Sequence, residues 1–198
     1  MPKINGTTFD YILEKTAPIF NKQGYVGTSL SDLTKATGLT KGAIYCNFTN
    51  KEDLALKAFE YNIKKAVVPL FKLIAQQDSS LNKLYTITDY FRTYYDVVKI
   101  MGGCPMMRVG SDTKFNHPAL FVTAQKISHQ FISGLIEIIK DGIRSNEINK
   151  NTDVINYAKL MLSLIEGSTF LATTHDDPTY LTSAMDFIDT SIIEKIAA

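Results

Sequence analysis

The sequence predicts an all-α protein of about nine helices, three short ones followed by six mostly longer ones. Three observations carry this. Apolar residues recur at steps of three and four over most of the chain, and alternating strand-like runs are almost absent. Glycine, proline and small polar residues interrupt the periodic runs where helices would start and stop. A length of 198 residues with 45% hydrophobic and 21% charged composition suits one large or two small domains with a buried core.

The first helix is set by Phe9, Ile12, Leu13, Ala17 and Phe20 on one face, and Gly24 ends it. Thr28 and Ser29 are the candidate caps of the second. Ser29 with Asp32 resembles a capping box, Leu30, Leu33 and Ala36 turn inward, and Gly38 stops the helix. After Leu39, Thr40 can cap a third short helix through Phe48. Asn50 suits the cap of a fourth, with Glu52 and Asp53 in its first turn, extending to about Gln77 with a kink at Pro69. Leu81 to Met101 reads as one helix, broken by GGCP. A short segment with Met106, Met107 and Val109 follows, then the turn KFNHP. A long helix from His117-Pro118 carries Leu120, Ala124, Ile127, Phe131, Leu135 and Ile138, and fades at RSNEINKN. Thr152 or Asp153 caps the next, to about Thr174, and Asp177-Pro178 opens the last.

Net charge is +1, so the chain as a whole is no polybasic nucleic-acid binder. Its distribution is uneven: residues 1–65 hold nine Lys/Arg against six Asp/Glu, and the remainder twelve against fourteen. Cys46 and Cys104 lie 58 residues apart without metal-ligand spacing, which points to free thiols in a reducing cytosol. The opening MPKINGTTFD lacks the apolar stretch of a signal peptide, and no run approaches the ~18 apolar residues of a membrane span, so a cytoplasmic protein is expected. Neither enzyme activity, a metal nor a cofactor is expected. His117 precedes a helix-opening proline, His129 lies on a polar helix side, His175, Asp176 and Asp177 form a loop, and no phosphate-binding glycine loop occurs.

Helix, short helix, glycine turn, short helix is the pattern of a helix-turn-helix, whose second short helix enters the major groove of DNA. The stretch TKGAIYCNF fits that role. Thr40, Lys41, Gly42 and Ala43 form a leading turn where small residues permit close approach. Lys41 can donate to guanine, and the Ala43 methyl can touch a thymine methyl. Ile44 and Phe48 face the core, Tyr45 can give its hydroxyl to a phosphate, and Asn47 could read adenine or bind backbone. Lys51 with the amide-rich start of the fourth helix forms a phosphate site.

The segment FNKQGYVGTSLSDLTKATGLTKGAIYCNFTNKEDLALKAF resembles the DNA-binding domain of the TetR family of bacterial transcription regulators. The likeness lies in the leading F…GY…TS, the central TGLTKGAIY and the trailing F.NKEDL, and spans residues 9–60 densely. Elsewhere it rests on helix count and length, on GGCP at Gly102–Pro105 and on IEG at Ile165–Gly167. The resemblance implies phosphate contacts at Thr28 and Ser29, base-facing or phosphate-facing roles for Thr40, Lys41 and Ala43, and backbone clamps at Tyr45 and Lys51. Cys46-Asn47 departs from the family, where a histidine often follows an aromatic or polar residue, and leaves base preference at Asn47 open. The resemblance also implies a homodimer built on the last two long helices and a ligand cavity enclosed by the middle ones. It further implies that the short helix after GGCP lies against the fourth.

The body agrees with that picture without requiring it. Leu181, Ala184, Phe187, Ile188 and Ile192 line one side of the last helix and suit a four-helix interface with a second copy, though packing within the chain gives the same stripe. Phe91, Tyr94, Tyr95, Met101, Met106, Met107, Phe115, Phe121, Phe131, Met161 and Phe170 suit a small apolar or amphipathic effector, or ordinary core. GGCPMMRVG reads as a movable segment. The expected domains are a DNA-binding head over 1–50 and a ligand-binding and dimerisation body over 51–198. The expected function is that of a ligand-responsive repressor binding a palindromic double-stranded operator as a dimer. An activator or ligand-independent DNA-binding protein of the same fold is the alternative, and an all-helical enzyme or carrier the remoter one.

Overall fold

The computed structural model describes residues 7–198. In chain order the helices are α1 (Thr8–Gly27), α2 (Leu30–Thr37), α3 (Lys41–Tyr45), α4 (Lys51–Ile74), α5 (Ser80–Arg92), α6 (Tyr94–Met101), α7 (Pro105–Thr113), α8 (Pro118–Arg144), α9 (Val154–His175) and α10 (Thr179–Ile188). The last continues through a π-turn, Asp189–Ile193, where the Glu194 amide bonds to the Asp189 carbonyl, and closes with an α-turn, Glu194–Ile196. Among the described residues the only β-pairing is an isolated antiparallel bridge between Ile148 and Ala197.

Local chemistry explains the starts. Side-chain oxygens of Thr7, Ser29, Thr40, Asn50, Ser79 and Asp153 each accept the amide three residues on, which satisfies donors that a helix leaves unpaired. Of the two expected caps of α9, Asp153 holds the position. Three boundaries differ from expectation. The helix expected over Leu81–Met101 is two, because the Thr93 amide bonds to Tyr90, a tight turn, while Arg92 beside it is held by Asp89, Asp186 and Asp189. α3 stops at Tyr45 rather than Phe48, and α4 runs unbroken across Pro69 to Ile74.

The chain divides into two compact units, residues 1–65 with 101–125, and residues 66–100 with 126–198. In the first, Ile12, Ala17, Phe20, Leu33, Ile44, Leu54 and Ala58 form the core, and α7 packs along α1. Side chains of α4 and α7 also meet there around a cavity of about 20 Å³, room for one water. In the second, α5, α8, α9 and α10 enclose Leu84, Ile87, Leu135, Ile139, Met161, Ile165, Met185 and Ile188. Each such fully buried side chain contributes about 1.5–3 kcal/mol.

Most of the residues expected at a dimer face sit within that second core. Leu181, Ile188 and Ile192 are no more than 1% exposed, because their stripe packs inward within the chain, where α10 lies on α5 and α9. Ala184 is half-buried on the same core, and Phe187 alone of the five is exposed, at 50%. Leu160, Phe170 and Leu171 on α9 and Tyr180 and Phe187 on α10 are among the exposed apolar side chains of this unit.

Candidate nucleic-acid interface

The site is assembled from three short connections. Ser29 caps α2 in a complete capping box: its hydroxyl oxygen accepts the Asp32 amide, and Asp32 Oδ2 accepts the Ser29 amide at 2.8 Å. α2 ends at Gly38, whose left-handed backbone (φ 66°, ψ 13°) turns the chain so that Thr40 can cap α3. Tyr11 of α1 steadies that turn by donating to the Thr37 carbonyl at 3.0 Å. Ile44 and Leu33 lie fully buried beneath it, and Phe48 stacks on Phe9 at 4.8 Å.

With Ile44 fixed inward, Lys41 and Gly42 stand exposed in the first turn of α3, and Ala43 is half-buried. Tyr45 is half-buried with its ring on the core, and the Asn47 amide nitrogen donates back to the Ala43 carbonyl at 3.1 Å. Ser29 and Thr40 are exposed. Thr28 is not: it is 1% exposed and its hydroxyl donates to the Gly24 carbonyl at 2.7 Å, so the side chain expected at a phosphate is enclosed. Lys51 is half-buried at the start of α4. Its ammonium donates to the Tyr25 carbonyl at 2.7 Å and sits 4.5 Å from the centre of the Tyr25 ring. Burial holds its pKa below the usual lysine value, partly opposed by the charge of Asp112.

The capping box is acid-sensitive with a defined sign. The Ser29 hydroxyl and then its amide hold the Asp32 carboxyl below the ordinary carboxylate range. Its contribution is full above the unfolded-state pKa and is lost as pH falls through the lowered folded value. The stability difference between the native chain and Ser29→Ala should therefore shrink on acidification, measured by urea titrations across the carboxylate range. A difference that grows toward low pH would contradict the assignment.

The expected effector residues divide between the two units. Phe91 and Tyr94 join Tyr90 in an aromatic cluster of the second unit, with Phe91 and Tyr94 rings 5.3 Å apart. Met161 is buried in that unit's core, Phe131 stacks on Phe71, and Tyr95 donates to Asp176, which also pairs with Lys99. Met101, Met106, Met107, Phe115 and Phe121 belong to the first unit, where Met101 is buried and Phe115 is 86% exposed. Phe170 is 51% exposed on α9. Exposure takes Phe115 and Phe170 out of any enclosed lining within their own units.

Sequence reasoning missed Asn21, Tyr25, Arg108 and Asp112, which meet where α1 ends. The Tyr25 amide donates to Asp112 Oδ2 at 2.7 Å, and the Asn21 side chain donates to the Met101 and Gly103 carbonyls at 2.7 and 2.8 Å. Only Gly24-Tyr25 gave a local signal.

Residues 12–58 match the family described as bacterial regulatory proteins, tetR family, and residues 80–188 match the tetracyclin repressor-like C-terminal domain. The crystal structure of a TetR-family transcriptional regulator from Cytophaga hutchinsonii is 33% identical, with a TM-score of 0.89 over 96% of this chain and 95% of that one. The HTH-type transcriptional regulator YxaF of Bacillus subtilis is 25% identical over 178 residues, 89% of this chain and 90% of its own. At 17% identity the fold alone is shared with a cysteine mutant of the TetR-family regulator CifR, solved with 26-base-pair double-strand operator DNA, at a TM-score of 0.80 over 94% of this chain and 96% of that one.

Proposed function

This chain belongs to the TetR family of bacterial regulatory proteins, and on that premise we propose that it is a homodimeric repressor that reads a palindromic operator through α3 and releases it on binding a small molecule. It is a DNA-binding helix-turn-helix transcription regulator. The observation that carries the finer reading is the leading turn of α3, where Lys41 and Gly42 stand exposed over a buried Ile44. Lys41 reads a base edge in the major groove. Ser29, Thr40 and Tyr45 hold phosphates, and Lys51 with the α4 N-terminus holds another. Asn47, with one amide hydrogen on Ala43, keeps its carbonyl oxygen and second hydrogen for backbone or adenine.

Residues 1–50 form the DNA-binding domain and 51–198 the ligand-binding and dimerisation domain in this reading. Repression is supported by the tetracyclin repressor-like description of the C-terminal match, and operator binding by the CifR complex. The effector is apolar or amphipathic, in keeping with the Tyr90–Phe91–Tyr94 cluster. A cytoplasmic location accords with a DNA partner, and no described helix is long and apolar enough to cross a membrane.

Fluorescence anisotropy with the DNA upstream of its own gene should show at least about 1,000-fold preference over random duplex. Lys41→Ala should cost about 1–3 kcal/mol on that operator and relax preference at one position in each half-site. Equal losses on operator and random DNA would remove Lys41 from base reading.

A further inference from the structure

α1 contains a break whose two open ends are closed from a distant part of the sequence. At Gly24 the backbone turns to φ 77°, ψ 171°, a region open almost only to glycine. An unbroken helix would join the Tyr25 amide to the Asn21 carbonyl. Here both groups are taken by α7. The amide donates to Asp112 Oδ2 at 2.7 Å, and the carbonyl accepts from Arg108 Nε at 3.1 Å. Arg108 and Asp112 are four residues apart, one helical turn, so one face of α7 supplies both replacement partners. The fit is close: a Cβ on Gly24 would lie 2.7 Å from the Asp112 carboxylate.

What lies past the break is the DNA-facing machinery. The Tyr25 carbonyl anchors Lys51, its ring lies against the Lys51 ammonium and meets His117 at 4.0 Å, and Ser29 follows four residues on. The buried core beneath α1–α4 is drawn from those helices and from Phe48 after α3, with Leu120 the buried member from farther along the chain and Val109 of α7 packed against it. Arg108 and Asp112 are not members of that core, whereas both bond the chain on either side of Gly24.

We propose that Arg108 and Asp112 are positioning residues for operator binding: they clasp the broken α1 and, through Tyr25, fix where Lys51 and the start of α2 stand. This rests on the DNA-binding reading and adds to it two residues more than eighty positions beyond the break in α1. Removing the carboxylate leaves the Tyr25 amide without its charged acceptor, so the segment samples other directions. Apparent affinity then falls in proportion to the fraction still correctly placed.

The test uses the full-length protein and a duplex that the native protein selects from a random pool. Asp112→Ala should bind that duplex about tenfold more weakly. Its salt dependence should lose about one phosphate contact, a slope change of about 0.9. Hydrogen exchange should quicken at the Tyr25 amide and stay slow at Ile44. Asp112→Asn, whose side-chain oxygen still accepts from Tyr25, should restore affinity to within about threefold. If Asp112→Ala also loses protection at Ile44, Arg108→Met decides instead, because it keeps the stem and removes only the donor; it should weaken binding several-fold with Ile44 still protected. Native affinity in these variants, or failure of Asp112→Asn to rescue, overturns the clasp while leaving the regulator reading intact. A native protein that enriches no duplex from the pool overturns both.

Discussion

Phe187→Glu should turn the protein monomeric and lower operator affinity about 100-fold or more, because a second half-site bound through the same dimer multiplies affinity by that order. Phe187 is 50% exposed and lies with Tyr180 on the uncovered side of α10, alongside Leu160, Phe170 and Leu171 of α9. The α9 positions recur at helical spacing around Gly167, where an added Cβ would meet nothing within the chain. A two-fold partner laid on this face would bury the new carboxylate among apolar side chains, which costs several kcal/mol without a pairing cation. Its neighbour Ile188 is fully buried in the same chain. Ile188→Glu should therefore unfold the second unit, whereas Phe187→Glu should leave circular dichroism and thermal melting cooperative. Sedimentation equilibrium separates the two, and a Phe187→Glu dimer as tight as the native one would move the interface to another face.

Gly24→Ala should destabilise the first unit by about 3 kcal/mol, from about 1–3 of backbone strain together with a weakened charged hydrogen bond. The added carbon would reach 2.7 Å from Asp112 Oδ2, so the carboxylate must release the Tyr25 amide or the helix must shift. Scanning calorimetry should show the midpoint lowered by about 10 °C for a chain of this size. Gly38→Ala is the control. It also has positive φ, but its Cβ would meet open space, so strain alone applies, at about 1–2 kcal/mol. Equal losses in the two variants would show that the approach of Asp112 adds nothing.

The head was legible in the sequence because its signals are local. Ser29 with Asp32, Gly38, Thr40 and Asn50 act on amides within four residues, so caps and stops follow from residue type and order. The α5–α6 division was not legible, since Thr93 is no helix breaker and the acids that hold Arg92 come in part from α10. Nor was the orientation of α10: periodicity finds the stripe of Leu181, Ile188 and Ile192 but not the neighbour that covers it. Arg108 and Asp112 leave no periodic trace, because their partners Asn21 and Tyr25 are 87 residues away. Residue type also left open that the Thr28 hydroxyl is taken by the Gly24 carbonyl within the chain.

The π-turn in the last helix bears on how this chain is aligned with its relatives. Correspondence to the tetracyclin repressor-like domain stops at residue 188, and the turn begins at Asp189. Closing a bond to the fifth residue rather than the fourth accommodates one extra residue without breaking the helix. Adjacent Ile192 and Ile193 are both buried, at 1% and 0%, which an uninterrupted amphipathic stripe does not ordinarily produce. Counting straight through the turn mislabels every later position by one step, about 100° around the axis, so that Ile196 would be taken for a residue on another face. A residue accommodated in this way leaves the side chains beyond the turn, Ile196 among them, still against the core.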